Sequence, residues 1–320
     1  MQRIVVAGAG VFGTAMAERL SWNPDNEVTV HSIVPEVVSE MNASHTNGRY
    51  VPGKLLNPGI RATGDNAVFD GRDVIFLAVP AEFILSFSEG IRPNVSNNPL
   101  VINLAKGMTQ NGAFITQDIP FERTCSLKGP SFAVEVINGM PTALTFGGEE
   151  NDFVFVRDTV FAHTGITLDY CADVRAVELC SVLKNMYAIA IGIFSGRYAS
   201  QNVDFMVYTK AVREMRSLLK LFKCDPESIF NYCGIGDLGL TALNDLSRNR
   251  TFGLLLGKGF ALKEEKNAAT IVEGKRTIEL MYKEVSSLGE VADFPLLSAL
   301  YDFIYNKKPL TDFIRAVLPH

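Results

Sequence analysis

A chain of 320 residues with 47% hydrophobic, 20% charged and 10% aromatic residues has the profile of a soluble globular protein of about two domains. Its 30 basic and 35 acidic residues leave a formal charge of −5, without the basic excess or stripe that marks a nucleic-acid module. The uncharged runs at 4–17 and 185–195 fall short of the roughly 20 apolar residues needed to cross a bilayer, so no membrane span is expected.

Residues 3–7 form the first apolar, β-branched run, and Gly8-Ala9-Gly10-Val11-Phe12-Gly13 follows at once, opening a helix near Thr14. The glycines interrupt what would otherwise sit where a signal peptide does, and no clear cleavage site follows. In a strand–turn–helix setting this spacing predicts a Rossmann-type dinucleotide loop. Gly8 allows the turn, Gly10 lets backbone approach a pyrophosphate, Gly13 allows close helix–strand packing, and the helix N-terminus supplies N–H groups. An ordinary glycine turn is the plain alternative. After the second strand, 28–31, an NAD site usually offers an acid and an NADP site an arginine. This chain has neither in Val30-His31-Ser32-Ile33-Val34, so NAD and NADP both stay open, with His31 or Ser32 as candidate ribose contacts.

Further strands are expected at 74–79, 100–104, 124–127, 143–146 and 166–168, with helices such as 14–22 and 80–90 between them. Near-continuous apolar strands alternating with helices predict a parallel, doubly wound α/β sheet over 1–174. Lys106-Gly107 and Gly129-Pro130-Ser131-Phe132-Ala133 follow strands at the end where such sheets bind ligands, and Ser131 is placed to cap the next helix.

From 175 to 320 strand signals fade, and helices are expected at 174–193, 204–222, 240–256, 271–288 and 294–305, an all-helical second domain. Lys184 lies inside the apolar first helix. Burial lowers a lysine's pKa and suits it to proton transfer, while a solvent-facing stripe is the bland reading. Gly234-Ile235-Gly236-Asp237-Leu238-Gly239 and Ser247-Arg248-Asn249-Arg250 offer a carboxylate partner and an anion clamp. Cys125, Cys171, Cys180, Cys224 and Cys233 are scattered and odd in number, and the four histidines do not cluster. No disulfide framework or metal site is expected, and the setting is a reducing cytoplasm.

Taken in order, residues 8–14, Tyr50-Val51-Pro52-Gly53, Ala105-Lys106-Gly107, Gly129–Ala133, Leu183-Lys184-Asn185, Gly236-Asp237-Leu238, Ser247–Arg250 and Val272-Glu273-Gly274 resemble the NAD(P)-dependent glycerol-3-phosphate dehydrogenases. The resemblance implies a 6-phosphogluconate-dehydrogenase-like pairing of a Rossmann-type domain with a helical one. It implies reversible hydride transfer, with NAD or NADP, between dihydroxyacetone phosphate and sn-glycerol 3-phosphate. Lys184 would move the proton at the C2 oxygen, with Lys106 and Asp237 completing a catalytic set. Gly129, Ser131, Ser247, Arg248 and Asn249 would hold substrate together with those three. Gly8, Gly10, Val11, Phe12, Gly13, His31, Tyr50, Lys106, Ala133, Arg248, Ile271 and Glu273 would surround the dinucleotide.

A cytoplasmic homodimer acting on a phosphorylated small molecule is the corresponding expectation. The chain departs from the family at Ile33, where an arginine or histidine is usual, and over 195–204, where a glycine-rich stretch is usual. A reductase of another polyol phosphate or of a 2-keto acid, ketopantoate- or opine-type, is the alternative. A non-catalytic dinucleotide sensor is a third reading, which the joint presence of Lys106, Lys184, Asp237 and Arg248 speaks against.

Overall fold

The computed structural model describes residues 1–109, 112–260 and 273–318. The chain divides into two compact units, Met1–Glu178 and Leu179–His320. In the first, β1 (Gln2–Ala7), β2 (Asn26–His31), β3 (Arg61–Thr63), β4 (Val74–Leu77), β5 (Leu100–Asn103), β6 (Thr124–Lys128), β7 (Thr142–Gly147) and β8 (Ile166–Cys171) form one sheet. Their order is β3-β2-β1-β4-β5-β6-β7-β8, and the direction of the connections reverses between β1 and β4. The helices of this unit are α1 (Val11–Leu20), α2 (Pro35–Ser44), α3 (Ala81–Ile91), α4 (Ile115–Asp118), α5 (Ala133–Ile137) and α6 (Glu150–Phe155).

Successive β1 residues supply opposite faces. Ile4 and Val6 join a core with Ala15 and Leu20 of α1, whereas Val5 and Ala7 join another with Ile84 and Ile91 of α3. A strand buried on both sides needs apolar residues at every position, which is why these runs do not alternate.

The expected parallel sheet holds for β1 to β6. It fails at the end, where β7 pairs antiparallel with β6 and only β8 runs parallel to β7. The link from β6 to β7 carries a single short helix, α5, five residues long.

The second unit is built from α7 (Val174–Tyr198, which begins before the division), α8 (Gln201–Leu221), α9 (Asp237–Leu243), α10 (Arg248–Gly257), α11 (Glu273–Ser287), α12 (Pro295–Ile304) and α13 (Leu310–Val317). Where one helix was expected over 240–256, there are two. Asn244 is extended and its side chain accepts the Leu246 N–H, and Ser247 Oγ then accepts the Arg250 N–H to start α10 afresh. By length and composition α7 could cross a membrane, with mean hydropathy 1.5 over its most apolar window, but that window is wholly buried. Counting uncharged runs missed it because Lys184 splits the stretch.

α7 and α10 touch through their backbones. A Cβ on Gly192 would lie 2.4 Å from the Arg250 carbonyl oxygen, and one on Gly253 would lie 2.2 Å from that of Ile189. Gly196 and Gly257, one turn on, meet Leu254 and Ile193 in the same way. Gly192→Ala is therefore expected to cost about 3 kcal/mol in chemical denaturation, since backbone cannot yield as a side chain does. Gly90→Ala in α3, where a Cβ meets nothing within 4 Å, should instead gain up to about 1 kcal/mol.

Candidate active site

Because β1, β4, β5 and β6 are parallel, the segments after them leave one edge of the sheet. These are Gly8–Gly13, Ala78–Pro80, Leu104–Gly107 and Gly129–Ala133. Beside the reversal between β1 and β4, that edge is where open α/β sheets bind ligands. Gly8 has φ +109° and its N–H donates to the His31 carbonyl at 2.9 Å. A Cβ on Gly13 would fall 1.9 Å from the Gly8 oxygen, whereas one on Gly10 would meet nothing within 4 Å. Gly8 and Gly13 are thus demanded by the fold. The fold makes no such demand at Gly10, the position expected to face a pyrophosphate. The first turn of α1 carries no side-chain cap, and Val11 beside it is 43% exposed, so its N–H groups remain for a ligand. The loop thus fits a dinucleotide.

In the second unit Lys184 sits midway along α7, 2% exposed, in an ion pair with Asp237 at the start of α9, itself 1% exposed. Two charges taken out of water are tolerable only together. The neighbouring Asn185 accepts a hydrogen bond from Asn249 Nδ2 (3.0 Å) and donates to Glu273 Oε2 (3.2 Å). Asn249 Oδ1 in turn accepts the Gly274 N–H at 3.0 Å. Residues from α7, α9, α10 and α11 are thereby gathered around one lysine. Arg248, on the first turn of α10, is exposed, and Ser247 is buried as its cap. Arg250 turns back into the unit, donating to Ser195 Oγ (3.0 Å) and the Ala242 carbonyl (2.7 Å).

The family model for the N-terminal half of NAD-dependent glycerol-3-phosphate dehydrogenase matches residues 3–154, and that for its C-terminal half matches 173–315. The chain belongs to that family. A glycerol-3-phosphate dehydrogenase [NAD(P)+] of Methanothermobacter thermautotrophicus is 32% identical over 98% of this chain and 96% of its own length. One from Nitratidesulfovibrio vulgaris is 31% identical over 99% and 98%. The crystal structure of glycerol-3-phosphate dehydrogenase from Coxiella burnetii matches with a TM-score of 0.87 at 25% identity, covering 100% of this chain and 99% of the other.

Within this dehydrogenase fold the remaining expected residues fall as follows. Lys106 and Tyr50 are half-buried, as are Phe12 and Ala133. Gly129 is buried and Ser131 nearly so. Ser131 does not cap α5, whose start at Phe132 has no side-chain cap. Its hydroxyl instead donates to the Gly129 carbonyl at 3.0 Å, tightening the turn. His31 is a correction. Its ring is 2% exposed and packs against Phe69 and Phe87 (centroids 5.0 and 5.8 Å), and burial holds its imidazole below the ordinary value. Its carbonyl accepts the Gly8 N–H, and Ile33, two residues on, is exposed at 84%. Ile271 lies outside the described residues. Among those described, no group of His, Cys, Asp and Glu could hold a metal ion.

Asn47 and Glu178 are buried polar residues that the sequence reading did not single out. Asn47 donates from Nδ2 to the Ala9 carbonyl and to Thr14 Oγ1, both at 2.9 Å, and so holds the glycine loop from outside. Glu178 on α7, 1% exposed, binds Asn103 at the end of β5. The logic applied to Lys184, a charge inside an apolar helix, would have flagged Glu178 as well.

Proposed function

We propose that this chain interconverts dihydroxyacetone phosphate and sn-glycerol 3-phosphate using NAD(H) or NADP(H). The single observation carrying this reading is the buried Lys184–Asp237 ion pair, in a chain that also carries the glycine loop. The nicotinamide supplies or accepts the hydride at C2. Lys184 then gives a proton to the C2 oxygen in reduction and takes it back in oxidation, so that no alkoxide builds up. Asp237 orients the ammonium and supplies its counter-charge. Its own position is fixed by α9, where Thr241 Oγ1 donates to Asp237 Oδ1 at 3.5 Å.

A phosphate dianion suits the exposed Arg248 guanidinium and the N–H groups at the start of α10. Asn185, Asn249 and Glu273, bound to one another, brace that end of the site. Lys106, at the sheet edge of the first unit, is a further proposed substrate contact. The proposal carries with it a homodimer built on the second unit and a cytoplasmic location.

The test is oxidation of NADH and NADPH, measured side by side, with dihydroxyacetone phosphate, ketopantoate and simple 2-keto acids. Rapid turnover with dihydroxyacetone phosphate and at least one of the two dinucleotides is expected. Turnover with a keto acid and none with dihydroxyacetone phosphate would overturn the assignment.

A further inference from the structure

The turn that carries Lys106 hangs from a buried carboxylate for which the reaction above has no use. Asn103, the last residue of β5, is fully buried. Its side-chain oxygen accepts the Ala105 N–H at 2.8 Å, curling the chain immediately before Lys106. Its side-chain nitrogen donates to Glu178 Oε1 at 2.6 Å. The same oxygen accepts Ser126 Oγ (3.3 Å), and Oε2 accepts the Thr116 hydroxyl (3.2 Å) and N–H (3.4 Å). Lys128, 2% exposed, donates to the Asn103 carbonyl at 2.8 Å, bringing a positive charge to the same place.

The Ala105 N–H can only donate, so the Asn103 amide stands with its oxygen toward Ala105 and its nitrogen toward Glu178, which accepts from that nitrogen and from the Thr116 N–H. We infer that Glu178 and Asn103 are positioning residues for substrate, holding the Lys106 turn in its binding geometry from behind. This rests on the role of Lys106 proposed above. A displacement of about 1 Å at a substrate-positioning group is enough to lose roughly 100-fold in rate.

Glu178→Gln keeps the shape but replaces one acceptor oxygen by an NH2 group. Facing the Asn103 nitrogen or the Thr116 donors, that group forces a donor–donor conflict. Rotation of the Asn103 amide relieves the first and takes the acceptor away from Ala105. Asn103→Ala removes the same link from the other side. The experiment measures KM for dihydroxyacetone phosphate, kcat, dinucleotide Kd by NADH fluorescence, and Tm, for both variants, for their double variant and for Lys106→Ala.

The expected result is a KM raised at least tenfold in each single variant, a dinucleotide Kd within twofold of the parent, and a double variant no worse than the poorer single one. A lowered Tm with KM within twofold of the parent would make the pair merely structural and overturn the inference. Multiplying penalties in the double variant would do so too, because two residues acting through one turn cannot add independently. If Glu178→Gln does not fold, Asn103→Ala decides by the same KM criterion. If Lys106→Ala leaves KM unchanged, the Lys106 assignment itself falls. If Lys106→Ala moves KM while Glu178→Gln does not, only the positioning inference falls.

Discussion

Lys184→Ala is expected to lower kcat by about 1,000-fold while leaving dinucleotide Kd within threefold, measured by single-turnover kinetics and NADH titration. The split follows from where the groups lie. The dinucleotide loop is a property of the first unit, fixed by Gly8, Gly13 and Asn47, and none of those contacts involves α7 residue 184. In the proposed mechanism the amine acts only when the C2 oxygen changes its proton, so its loss should fall on turnover. Normal kcat in the variant would remove Lys184 from the reaction.

The same ion pair makes a second, separable prediction about stability. Asp237→Leu alone leaves the Lys184 ammonium, 2% exposed, facing an apolar side chain, and is expected to cost about 3–5 kcal/mol in urea denaturation. Lys184→Met combined with Asp237→Leu removes both charges and should recover most of that loss, because a buried pair gains little over well-packed apolar residues. The double variant should remain inactive. Stability restored without activity would separate the pair's chemical role from its structural one. Additive losses, with the double variant the least stable of the three, would mean that the two charges are not energetically coupled.

The parts of the molecule that were legible in the sequence are those whose chemistry is local. The glycine loop shows because turn, strand and helix onset are contiguous in 3–14, and Lys184 shows because a charge interrupts an apolar helix. The reversed strands β7 and β8 do not show, since their apolar patterns read alike in either direction. β3 has three residues, too few for any period to register. His31 misled for a related reason: a polar residue at a strand end looks available, and only the distant Phe69 and Phe87 reveal that its ring is enclosed. Asn47, Asn103 and Glu178 acquire meaning from partners 33 to 75 residues away, a separation that no local pattern reports. Gly192/Gly196 and Gly253/Gly257 were visible as spaced pairs on two helices, and their spacing was the clue left unread.

Those glycine pairs also limit how the second unit can adapt. Helices ordinarily slide by letting interdigitated side chains swap rotamers, a cushion that is missing where carbonyl oxygen meets Cα. The amine on α7 and the guanidinium on the opening turn of α10 are consequently mounted on a single rigid block. With Arg248 as the proposed phosphate clamp, tolerance for a longer or shorter polyol would depend on how far its side chain reaches across that fixed spacing.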